Sequence, residues 1–105
     1  MSLIYMPTPE GRIKNKIKDL LAIYRERIYY YMPVPSGYGA TTIDFLICFN
    51  GLFIGIEAKK PKGTPTARQD GILEDIRAAR GVTFVVNDDE SLNVLALFLE
   101  SMDNR

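Results

Sequence analysis

Two apolar runs, Thr42 to Phe49 and Leu52 to Lys59, are separated by Asn50-Gly51. No other feature constrains the chain as much. A two-residue type I′ turn needs positive φ at both central positions, and Asn and Gly tolerate it best. Apolar runs on either side of such a pair predict a β-hairpin. The short loop also fixes the register. Phe49 should face Leu52, Ile47 should face Ile54, Phe45 should face Ile56 and Ile43 should face Ala58. That side of the hairpin is wholly apolar. The other side pairs Cys48 with Phe53, Leu46 with Gly55, and Asp44 with Glu57. Lys59, two residues beyond Glu57, shares that side.

Two carboxylates opposite each other on adjacent strands repel. A divalent cation between them would remove the repulsion. Mg²⁺ takes oxygen ligands, commonly one or two carboxylates with waters and substrate phosphates. Lys59 beside it could stabilise charge on an attacking water or a phosphoryl oxygen. The alternative is a solvated face with each carboxylate paired to a lysine. Leu46 and Cys48 share the Asp44 side and suggest that it is covered, with Cys48 a small buried hydrophobe.

Around the hairpin the chain reads as alternating elements. Thr8-Pro9 resembles an N-cap with Pro at N1. Ile13, Ile17, Leu20, Leu21 and Tyr24 then recur at helical spacing, predicting a helix from Pro9 to about Arg25. Arg27 to Met32 favours a strand, ended by Pro33-Val34-Pro35. Ser36 to Gly39 reads as a loop, as does Lys60 to Pro65. Thr66 opens a second helix with Gly81 as its C′ residue. Val82 to Val86 is a short buried strand, and Asp88 or Ser91 caps a last helix reaching about Met102. The expected fold is α/β, a small mixed sheet flanked by helices in the order α-β-β-β-α-β-α. No linker or repeat divides residues 1–105, so one domain is expected.

Composition narrows the chemistry. The chain has no His and one Cys among 105 residues. A Ser-His-Asp triad, a Cys-His dyad and a His-ligated zinc site are excluded, as is an internal disulfide. No apolar run reaches the roughly 18 residues of a membrane span. The first nine residues lack the marks of a signal peptide. An intracellular, cytoplasmic protein is expected, without a membrane partner.

Two further polar residues aim at the carboxylates. Glu10 falls within the apolar stripe of the first helix, although a first-turn carboxylate also suits the helix dipole. Gln69 shares a face with Ile72, Leu73 and Ile76, although Thr66-Ala67-Arg68-Gln69 is also a capping box. Asp44, a turn, Glu57-Ala58-Lys59 and then Gln69 together resemble a PD-(D/E)XK (restriction endonuclease-like) nuclease. More narrowly they resemble the VRR-NUC (virus-type replication-repair nuclease) family, from Glu10 to the strand at 82–86. Ile43 stands where that family often has Pro, and Ala58 where it usually has a larger apolar residue.

The resemblance implies that Asp44, Glu57 and the Ala58 backbone carbonyl hold Mg²⁺ or Mn²⁺. It implies that Lys59 positions the attacking water, that Glu10 assists through a water and that Gln69 supports the site. The implied activity is metal-dependent hydrolysis of DNA phosphodiesters. Stand-alone members act as homodimers on branched DNA, like Holliday-junction resolvases, and phage encoding would suit the family. The rivals are a DNA-binding module with a degenerate site, and a nicking or restriction-type nuclease on linear duplex.

Lys60, Lys62 and Arg68 cluster where phosphates would approach, and would position DNA without reading sequence. A solvated loop is the alternative, and the adjacent site favours phosphate contact. Arg12, Lys14, Lys16 and Lys18 lie mostly away from the apolar stripe of the first helix, where a solvated face is at least as good an account as phosphate contact. Tyr29 to Tyr31 could stack on bases, although β-propensity accounts for them more simply. The last helix is apolar around most of its circumference, from deep burial or from a dimer interface. The zero net charge conceals a division: residues 1–68 carry ten Lys and Arg against five Asp and Glu, and residues 69–105 carry three against eight. Salt-sensitive DNA binding is expected, with the acidic third turned away from the DNA.

Overall fold

A computed structural model describes residues 7–34 and 41–103. The Ser36 to Gly39 loop and the first six residues lie outside them. Helix α1 spans Pro9–Ala22, strand β1 Ile28–Tyr31, β2 Phe45–Phe49 and β3 Leu52–Ala58. Helix α2 follows at Ala67–Ala78, β4 at Val82–Val86 and α3 at Asp89–Met102. The result is an α/β fold with a mixed four-stranded sheet in the order β1-β2-β3-β4. The first two pairings are antiparallel and β3–β4 is parallel. Element order agrees with the sequence reading.

The hairpin forms in the expected register, from Phe49↔Leu52 to Phe45↔Ile56. Asn50 and Gly51 take φ of 49° and 84°, as a type I′ turn demands. One face of the sheet presents Phe45, Ile47, Phe49, Ile54, Ile56 and Ala58 to α1 and α3. Ile13, Ile17 and Leu21 of α1 and Leu95 and Leu99 of α3 cover it, all buried. Fully burying each such side chain contributes roughly 1.5–3 kcal/mol before chain entropy is subtracted. Deep burial therefore accounts for Leu95 and Leu99 of α3, while Val94 and Leu97 stay exposed.

Helix α2 lies on the opposite face and packs on β3 and β4. A Cβ on Gly55 would come within 2.7 Å of Ile76 Cδ1 and 2.8 Å of Ile43 Cδ1. The missing side chain is what lets both isoleucines sit over the strand. Ile43 thus belongs to the α2 side, not to the apolar side opposite Ala58. The chain bends at Asp44, β2 begins only at Phe45, and the two-residue alternation does not extend past that bend. Cys48 is exposed rather than buried, because α2 leaves the β1–β2 half of this face uncovered. Tyr29, Tyr31 and Phe53 are exposed beside it.

The ends of α2 and α3 are fixed by local bonds. Thr66 and Gln69 form the expected capping box, and Asp88, not Ser91, caps α3 with Ser91 at N3. At the far end of α2 the left-handed residue is Arg80, at φ 72°, not Gly81. Arg80 N–H donates to Arg77 O and Gly81 N–H to Ile76 O, a Schellman motif. Gly81 is required for a different reason: a Cβ there would lie 2.6 Å from Ile76 Cγ2 and 3.1 Å from Phe53 O. Helix α1 stops at Ala22, short of Arg25, and turns lead into β1. Among the described residues, no helix is long and apolar enough to cross a membrane.

Candidate metal centre

Beyond Phe45↔Ile56 the β2–β3 pairing continues through side chains. Asp44 N–H donates to Glu57 Oε1 at 3.0 Å, and Ala58 N–H donates to Asp44 Oδ2 at 2.8 Å. Each carboxylate thus binds the backbone of the other's segment. The hairpin brings Asp44 and Glu57 together as its register requires, at the open end of β2 and β3.

Lys59 Nζ lies 3.3 Å from Glu57 Oε2, and Lys14 Nζ lies 3.3 Å from Asp44 Oδ1. Lys14 also reaches Glu10 Oε2 at 3.7 Å, one helical turn away. Glu10 therefore joins the cluster through Lys14. The sequence reading of Lys14 as part of a solvated face differs from this, although the spacing from Glu10 carries the signal. Residues four apart lie on one helix face, so whatever turns Glu10 inward turns Lys14 with it.

Glu57 is only 1% exposed and is the buried charged residue of the described chain. Its carboxyl is pushed up to about 7. Burial is the main cause, the Asp44 charge adds to it, and Lys59 and the Asp44 N–H oppose it. An acid held this way is poised between protonated and ionised near neutral pH.

The donor set suits a hard cation. Each carboxylate oxygen of Asp44 and Glu57 accepts one donor in the contacts above, and such an oxygen can accept two. Lone pairs on adjacent carboxylates therefore remain for an oxygen-seeking ion such as Mg²⁺ or Mn²⁺. The Ala58 carbonyl lies on the same backbone, and Glu10 reaches the cluster only through Lys14. Among the described residues, no three Asp, Glu, Cys or His side chains converge. Two carboxylates, a carbonyl and waters would form the site.

Gln69 is not brought to it by any hydrogen bond among the described residues. Its Oε1 accepts from Thr66 N–H at 3.0 Å, so the capping role accounts for it. Lys60, Lys62 and Arg68 are all exposed. Lys60-Pro61-Lys62-Gly63 is a turn closed by Gly63 N–H to Lys60 O at 2.8 Å, with Lys62 at φ 66°. Pro at the second position and positive φ at the third define a type II turn, where Gly is usual at the third. Asn87 Nδ2 clamps this turn by donating to Gly63 O at 2.9 Å. Asp89, at the start of α3, pairs with Lys16 at 2.8 Å. One acid of the acidic third thus meets one base of α1.

Scans against protein-family models, curated proteins and solved structures each found no match to this chain.

Proposed function

We propose that this chain is a metal-dependent endonuclease that hydrolyses DNA phosphodiester bonds, PD-(D/E)XK in type and VRR-NUC-like, selective for branched DNA. The observation that carries the reading is the buried Glu57 carboxylate, held against Asp44 with Lys59 3.3 Å away. A fold gains little by burying an acid beside another acid, because removal from water penalises charge and the neighbour adds to it. A site that must bind a cation gains directly.

Asp44, Glu57 and the Ala58 carbonyl would hold Mg²⁺ or Mn²⁺, with Glu10 contributing through a water. The ion, when bound, would act as a Lewis acid on the phosphoryl oxygen and increase the acidity of a coordinated water. Lys59, 3.3 Å from Glu57, would orient the attacking water and balance negative charge growing on the phosphate. Lys60, Lys62 and Arg68 would hold flanking phosphates and register the DNA. A homodimer would present two such sites to a junction.

Asp44→Asn tests the reading. The amide oxygen can still accept from Ala58 N–H, so the fold should survive, as circular dichroism would report. Mg²⁺-dependent cleavage of four-way and flap DNA should be lost, and a variant that cuts as well as the parent refutes the mechanism. A second reading, a DNA-binding module without catalysis, draws on the pairing of Lys14 with Asp44 and Lys59 with Glu57, which balances the charges without an ion. Calorimetry separates the two: DNA affinity without any heat of Mg²⁺ or Mn²⁺ binding would favour the module.

A further inference from the structure

Tyr29 and Tyr31 are 73% and 56% exposed, whereas Tyr30 between them turns inward and packs on Phe45 at a ring separation of 5.9 Å. Core packing explains Tyr30 alone. Strand propensity explains a tyrosine in a strand, not two uncovered rings on one side. These rings have neighbours of their own kind. Tyr29 pairs with Cys48, which pairs with Phe53, and Tyr31 pairs with Leu46. Cys48 and Phe53 are also exposed. The β1–β2 half of the sheet is therefore an open aromatic floor, with α2 rising beside it over β3 and β4.

Its position connects it to the candidate metal centre. Strand alternation puts Phe53 and Glu57 on one face of β3, so the floor and the buried carboxylate share a side of the sheet. Tyr31 lies at the same end of the sheet: its partner Leu46 is two residues from Asp44. Tyr29 lies two residues further out, about 7 Å at strand rise. A line from the carboxylates thus meets one exposed ring and then a second.

We propose that this face is a stacking platform for unpaired bases of single-stranded DNA, running from the carboxylates over Tyr31 and Tyr29. The occupant follows from the neighbouring carboxylates: exposed rings on the same side as a site for phosphodiester chemistry suit the bases of the strand held there. The ring interval is about twice the 3.4 Å rise per nucleotide of a duplex strand. Bases on the two rings must therefore be unstacked and extended. Paired bases cannot offer their faces, which confines the ligand to a single strand, as in other sheet-borne aromatic platforms. The inference rests on the nuclease reading for its direction, and it makes the preferred substrate one with an unpaired strand beside the scissile bond.

The test is binding of a fluorescent oligothymidylate to the whole chain at low salt in EDTA, where cleavage plays no part. Tyr31→Ala and Tyr29→Ala should each weaken affinity roughly 5- to 150-fold, the range measured for base–aromatic stacking. Tyr31→Phe and Tyr29→Phe should restore it, since the ring and not the hydroxyl stacks. Both side chains are exposed, so the alanine variants should fold, and circular dichroism checks this. No binding by the parent, or equal binding by the alanine variants, overturns the platform. If instead those variants lower the sedimentation mass while binding as the parent does, the face joins two copies and the platform is likewise overturned. A parent that binds through its tyrosines but cuts no DNA with Mg²⁺ supports the platform and removes the nuclease reading alone.

Discussion

At its Asn50–Gly51 end the β2–β3 hairpin is held by backbone geometry and apolar packing. At its Asp44–Glu57 end the same two strands are held by charge. The closed end puts Phe49 into the core, edge-on to Tyr24 at 5.3 Å. At the open end, reciprocal bonds between the carboxylates and backbone N–H groups replace the ladder. The first end can be stable as it stands. The second keeps an acid out of water beside another acid, and is consistent with a site that stores unfavourable energy until a cation arrives. On the proposed reading, stability and function lie at opposite ends of one hairpin, about five residue pairs apart in the register.

The largest expected effect on folding lies at the closed end. Phe49→Ala removes a fully buried ring and should destabilise the chain by about 3–5 kcal/mol, measured by urea unfolding. Its Mg²⁺ affinity, measured by calorimetry on the folded fraction, should stay at the parent value. A large loss of ion affinity would show that the two ends are not separable.

The open end should respond to pH instead. The Glu57 carboxyl is near 7 in the folded chain against 4.5 ordinarily. Between those values the folded state keeps a proton that the unfolded state has released, so stability falls as pH rises from 4.5 to 7. The fall is at most about 3 kcal/mol, from one proton over that interval. Glu57→Gln should remove this component of the slope and be the more stable protein at pH 8. Mg²⁺ should also flatten the parent's slope, because a bound cation favours the ionised acid. A parent slope indifferent to Mg²⁺ would mean that no ion binds at Glu57.

Most of this difference could be read from the sequence. Asn50-Gly51 set the register, and the register set Asp44 against Glu57. What could not be read is which parts of the sheet are covered. Alternation sorts residues onto two faces but says nothing of where a helix lands. Helix α2 has 12 residues and packs on β3 and β4, so Cys48, Tyr29 and Tyr31 remain open. The four-residue spacing from Glu10 points Lys14 toward the carboxylates, but a long side chain can place its charge far from its own Cα, so position on the helix alone does not show the contact. Arg80 was hidden because a neighbouring Gly offers the easier left-handed conformation. Tight contacts with Ile76 and Phe53 reserve Gly81 for another purpose.

The smallest effect returns to the turn. Gly51 has φ 84° and nothing within 4 Å of where a Cβ would stand. Gly51→Ala therefore meets no steric neighbour, and its cost is the left-handed backbone alone, about 1–2 kcal/mol. Urea unfolding should show that loss with an unchanged dependence on denaturant, since the surface buried does not alter. The turn sets the register, yet apolar pairs from Phe49↔Leu52 to Phe45↔Ile56 should hold it once formed. Mg²⁺-dependent cleavage by the folded variant should accordingly match the parent. If it falls well below, the strands have slipped, and the meeting of Asp44 and Glu57 depends on the turn more than on the packing between.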